Sequence, residues 1–131
     1  MAKTRMPSTR LAARLLGLAM GTACAATAHA DLDATGQREV QALLAFVGSS
    51  HCTFIRNGKA YDAEAARNHL QYKLDYLVQR HKVNSAEEFI ERAGTDSSFS
   101  GKPYRVNCDG TERLSADWLR EELQRLRATP P

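Results

Sequence analysis

Arg56, His69, Lys73, Ser98, Ser100, Lys102 and Tyr104 are the side chains of this sequence best suited to recognising an anion. His69 and Lys73 stand four residues apart, the spacing that puts two side chains on one face of a helix. Ser98, Ser100 and Lys102 fall in a loop bearing serine and glycine, whose hydroxyl, amide and ammonium donors suit an anion or a carbohydrate. The same residue types also serve structure. Arg56-Asn57-Gly58 reads as a hairpin turn, Glu87-Glu88 as charges at a helix start, and Ser97 and Ser98 as turn hydrogen-bonders.

Several chemistries fail on spacing. Gly94 to Lys102 is not a phosphate-binding loop, because six residues separate its glycines and Pro103 stands where the metal-binding hydroxyl belongs. His51, His69 and His81 offer no metal-ligand spacing, and no cofactor motif is present, so neither a metal nor a cofactor is expected. Cys52 beside His51 would form a thiolate pair only if both shared a face, and adjacent residues of a strand do not. No Ser-x-x-Lys precedes Lys102, since Phe99 occupies that place. A small envelope hydrolase or transferase then needs Ser98 or Ser100 assembled with His69 in space.

The chain has 131 residues, 43% of them apolar and 25% charged, which suits one small globular domain. Lys3, Arg5, Arg10 and Arg14 precede or flank an apolar stretch from Leu15 to Ala28 that ends in Ala28-His29-Ala30. This pattern predicts a secretory signal peptide over residues 1–30, cleaved after Ala30, with a domain over 31–131. The stretch is too short to cross ~30 Å of hydrocarbon, so no membrane span remains after cleavage. Gly21 stands three before Cys24, where lipidation needs a branched apolar residue, so Cys24 is not read as an anchor. Taking the four leader cations from 18 leaves 14 basic against 15 acidic residues. A nucleic-acid footprint loses its basic surface, and a periplasmic location is expected. Only Cys52 and Cys108 then remain, and in an oxidising compartment they are expected to pair.

The elements that position these residues follow from periodicity. Val40, Leu43, Leu44 and Val47 predict a helix over about 36–48. Cys52 to Arg56, Asn57-Gly58 and Lys59 to Tyr61 predict a β-hairpin. Asp62 caps a second helix over about 63–80, striped by Ala66, Leu70, Leu74 and Leu77. Ser85-Ala86-Glu87-Glu88 is a capping box opening a short helix that stops at Gly94, read here as a left-handed glycine. Tyr104 to Cys108, Asp109-Gly110 and Thr111 to Leu114 predict a second hairpin, after which Ser115 caps a last helix carrying Leu119, Leu123 and Leu126. The fold class is α+β: helix, hairpin, helix, helix, hairpin, helix. Each half repeats hairpin, cap and helix, and each hairpin carries one cysteine.

Four stretches in order resemble the YfeK-like family of small exported bacterial proteins of unknown function: Phe54 to Gly58; Ala65 to Leu70 with Lys73; Ser85 to Ile90; and Ser97 to Tyr104. The resemblance covers roughly residues 36–127 and implies periplasmic residence with no established activity. Ser100-Gly101-Lys102-Pro103-Tyr104 also resembles the Ser-Gly-x-x-Tyr loop of periplasmic lysozyme inhibitors. That resemblance implies hydrogen bonds from Ser100 and Tyr104 to a lysozyme's catalytic carboxylates, with Lys102 adding charge complementarity. Those inhibitors are all-β, whereas this chain reads at least half helical. The expectation is therefore a non-enzymatic binding module for a cell-envelope partner or small anionic ligand, with a lysozyme inhibitor and an envelope hydrolase or transferase as alternatives.

Overall fold

The computed structural model describes residues 3–4, 17–19, 21–23 and 31–129. The expected leader lies largely outside the described residues, and its cleavage site and Cys24 lie wholly outside them. Helix α1 spans Ala34–Ser49, starting earlier than periodicity predicts because the Asp33 carboxylate accepts from the Gly36 amide at 2.7 Å. Its stripe of Val40, Leu43, Leu44 and Val47 is buried. Strands β1 (Thr53–Arg56) and β2 (Lys59–Tyr61) turn through Asn57 and Gly58, with φ of 51° and 75°, the paired positive values a tight hairpin requires. Asp62 accepts from the Ala65 amide at 2.8 Å and opens α2 (Ala63–Gln79).

Helix α3 spans Ala86–Ala93. The Ser85 hydroxyl accepts from the Glu88 amide at 3.1 Å, but the Glu88 carboxylate accepts from the Asn84 amide at 2.9 Å, one residue upstream of a simple capping box. Gly94 corrects the reading of a left-handed stop. Its φ is −99°, and a Cβ there would lie 2.8 Å from Leu119 Cδ1. Close packing against the last helix, not handedness, demands the glycine.

Strands β3 (Arg105–Cys108) and β4 (Thr111–Leu114) form the second hairpin, and α4 spans Ser115–Ala128. Ser115 is not the cap expected of it. Leu114 holds that position without a side-chain bond, and the Ser115 hydroxyl is buried with no hydrogen-bond partner among the described residues. Burying a hydroxyl without a partner is unfavourable, so Ser115→Ala should leave stability unchanged or raise it by up to ~1 kcal/mol in urea unfolding. A loss larger than that would mean that the hydroxyl is bonded.

The four strands form one antiparallel sheet in the order β2-β1-β3-β4. Phe54 of β1 and Val106 of β3 pair at its centre and are buried, joining the helices' apolar faces in one core around α1, which packs on α2, α3 and α4. A pseudo-two-fold axis passes through that central pair. It relates Asn57-Gly58 to Asp109-Gly110, whose φ values of 55° and 86° repeat the same turn. Cys52 and Cys108 are joined by a disulfide at one end of the β1–β3 ladder, with Cα atoms 4.6 Å apart. Continuing the register the other way places Tyr104 opposite Arg56, on the same face as Phe54 and Val106. The sheet thus delivers two of the expected site residues side by side.

A basic and aromatic cleft as the candidate functional site

The first hairpin, α2 and the loop from Thr95 to Tyr104 enclose a cleft of about 350 Å³. Arg56, Lys59, His69, Lys73, Tyr61, Tyr72, Phe99 and Tyr104 line it, with Asn57, Ser97 and Ser98. Tyr104 sits at its base. Its phenol oxygen lies 3.1 Å from His69 Nε2 and accepts from Lys73 Nζ at 3.2 Å, so the two α2 residues four apart meet on one atom. Lys73 also donates to the Asp96 carbonyl at 2.9 Å, and its side chain is only 9% exposed. An ammonium has three N–H donors, and these two bonds use two of them.

The loop is held by its own polar groups. The buried Ser97 hydroxyl accepts from Asn57 Nδ2 and from the amides of Phe99 and Ser100, each at 3.2 Å. The Ser100 hydroxyl donates to Asn57 Oδ1, and the Tyr104 amide donates to the Thr95 carbonyl at 2.9 Å. Gly101 takes φ of 71° to close the turn, and every described peptide bond is trans, that of Pro103 included. This pinned loop carries Phe99 at its tip, 96% exposed.

The electrostatics of the cleft are one-sided. Among the described residues Lys73 makes no ion pair with a carboxylate, and Arg56 lies over the Tyr61 ring at 4.4 Å, without one. Arg125, the counterpart of Lys73 in the second half, pairs with Glu122 at 2.7 Å. The fold therefore bonds a carboxylate to Arg125 and leaves Lys73 with neutral oxygens as its bonded partners. Burial pushes the Lys73 ammonium's pKa down, with Arg56 adding to the fall and Asp96 opposing it. Burial raises the Tyr104 phenol, which stays protonated.

Burial, then Arg56 and Lys73, push His69 down to about 4 from 6.5. The sign follows: between 6.5 and about 4 the unfolded chain takes up a proton at this position that the folded one refuses. Stability from His69 is present above 6.5 and is lost as pH falls toward about 4. His69→Gln should flatten that part of the stability profile, and the imidazole followed by NMR should remain neutral at pH 5.5. An ordinary titration near 6.5 would contradict the burial described here.

Of the residues singled out in the sequence, Arg56, His69, Lys73, Ser98 and Tyr104 line the cleft. Ser100 is tied to Asn57 at its edge, while Lys102 is exposed and outside the lining. Tyr104 is 8% exposed and committed to His69 and Lys73, so the loop offers Phe99 rather than Tyr104 to a partner's cleft. The hydrogen-bond partner of His69 is a phenol, not a serine hydroxyl. Tyr72 joins the cleft without any role expected of it from sequence, Asn57, Lys59, Tyr61 and Ser97 join it from the hairpin and turn roles expected of them, and Phe99 from the loop. Two aromatics outside any apolar stripe, Tyr72 and Phe99, were the available signal.

Among the described residues no group of three or more His, Cys, Asp or Glu is placed to hold a metal ion, and no helix is long and apolar enough to cross a membrane. No solved structure matches the chain. Over 78 residues it is 37% identical to the uncharacterised protein YfeK of Salmonella typhimurium, covering 59% of this chain and 63% of that relative's length. The model of a family of unknown function, DUF5329, matches residues 34–127, from α1 to the last turn of α4. The chain belongs to that family.

Proposed function

We propose that this protein is a non-enzymatic binding module that takes a small anionic ligand in the cleft between the first hairpin, α2 and the loop from Thr95 to Tyr104. One observation carries the reading: Lys73 is buried and its hydrogen bonds go to neutral oxygens, with the Asp96 carboxylate acting on it only from beyond bonding distance, whereas its counterpart Arg125 is bonded to Glu122. A buried ammonium with no carboxylate bonded to it is costly, and a ligand carboxylate would supply that bond. Binding would return the Lys73 pKa toward its ordinary value, so affinity and charge state reinforce each other. No serine hydroxyl meets His69, whose partner is a phenol held protonated by burial, which favours binding over serine-based catalysis. The basic leader and small-x-small motif support export to the periplasm, where the ligand would belong to the cell envelope.

The test compares melting temperatures in sodium glucuronate and in sodium chloride of equal ionic strength. A ligand that binds only the folded state raises its stability by mass action. The wild type should melt higher in glucuronate, and Lys73→Met should melt alike in both. Equal melting of the wild type in the two salts would overturn the reading. The exported form should begin at Asp31 by N-terminal sequencing.

A further inference from the structure

We infer that the ligand of this cleft is a sugar bearing a carboxylate, of the uronic-acid type, with its acid group at Lys73 and its ring against the aromatic rim. This rests on the anion-binding reading above and adds the class of ligand. Three features of the cleft select that class.

The first is the number of buried cations. Lys73 is the one buried cation of the lining, and the Arg56 guanidinium is already stacked on Tyr61. A single buried cation suits a monoanion, whereas a phosphate dianion would want a second buried cation. The second is the rim. Tyr72 is 69% exposed and Phe99 96% exposed, yet both line the same cleft as Lys73. The Phe99 backbone is held by the Ser97 hydroxyl, which Asn57 also bonds, so the exposure of this residue is built into the loop. The electron-rich faces of such rings attract the weakly positive C–H face of a sugar. The third is the polar lining. Ser98 adds a hydroxyl to this cleft, and the Asn57 amide keeps one N–H beyond its bonds to Ser97 and Ser100, groups that a sugar's hydroxyls would use. A volume of about 350 Å³ falls within the range of small-molecule sites.

Calorimetric titration of the purified protein at fixed ionic strength tests this with five probes: sodium glucuronate, glucose, sodium acetate, sodium benzoate and glucose 6-phosphate. Glucuronate should bind about tenfold or more tighter than each of the others. Lys73→Met, its fold checked by circular dichroism, should lose glucuronate, and Phe99→Ala and Tyr72→Ala should weaken glucuronate more than acetate. If benzoate or glucose 6-phosphate equals or exceeds glucuronate, or acetate matches it, the class is wrong while the anion site stands. If no anion binds, the class and the underlying reading fail together. Glucuronate binding that survives Lys73→Met overturns the placement of the acid group.

Discussion

Lys73→Met should abolish anion binding and leave the protein as stable as the wild type. The two halves of this expectation have one cause. The Lys73 ammonium sits buried against the Asp96 carbonyl and the Tyr104 phenol, and among the described residues no carboxylate is bonded to it. Its desolvation works against folding, and methionine of similar length fills the space without that cost. Replacing buried charge by a well-packed apolar side chain is often neutral, so unfolding free energy should stay within about 1 kcal/mol of the wild type. Losing one partner of a desolvated charge pair costs about 2 kcal/mol or more, which is at least about thirtyfold in glucuronate affinity. A variant that is badly destabilised yet still binds would make Lys73 a structural residue.

The disulfide carries the second large effect. Cys52 and Cys108 are 56 residues apart, and closing a loop of that length restricts the unfolded chain by about 4 kcal/mol. Small domains commonly unfold with only about 5–15 kcal/mol, so Cys52→Ala/Cys108→Ala should lose a large part of its stability in urea. The bond also fixes the β1–β3 register, beyond whose other end Arg56 and Tyr104 both line the cleft. Glucuronate affinity should therefore fall in the double variant even below the unfolding transition. Two free thiols in protein prepared under oxidising conditions, or a loss below about 1 kcal/mol, would contradict this.

Local patterns made much of the fold legible. Asn57-Gly58 and Asp109-Gly110 announce their turns because few other pairs adopt two successive positive φ values. Asp62 and Ser85 cap their helices through bonds only three residues long. Gly94 and Ser115 were misread for a common reason. Their roles are set by what packs on them from elsewhere in the chain, Leu119 in one case and a buried apolar surrounding in the other. Sequence placed His69 and Lys73 on one helical face, but only the sheet register brings Tyr104 to both. Ser97 was read as a turn residue, and its hydroxyl proves to be where the loop and the first hairpin meet, 40 residues apart at Asn57. Lys102, prominent in the loop's sequence, lies outside the cleft because the turn at Gly101 follows the segment that lines it.

Lysine side-chain NMR of the purified protein, titrated with sodium glucuronate against a sodium chloride control, tests the central claim most directly. The Lys73 Cε and Nζ resonances should shift saturably, with the exposed Lys82 and Lys102 unmoved and the effect absent from chloride. A Lys73 signal that stays fixed while glucuronate binds, or that moves equally in chloride, would contradict it.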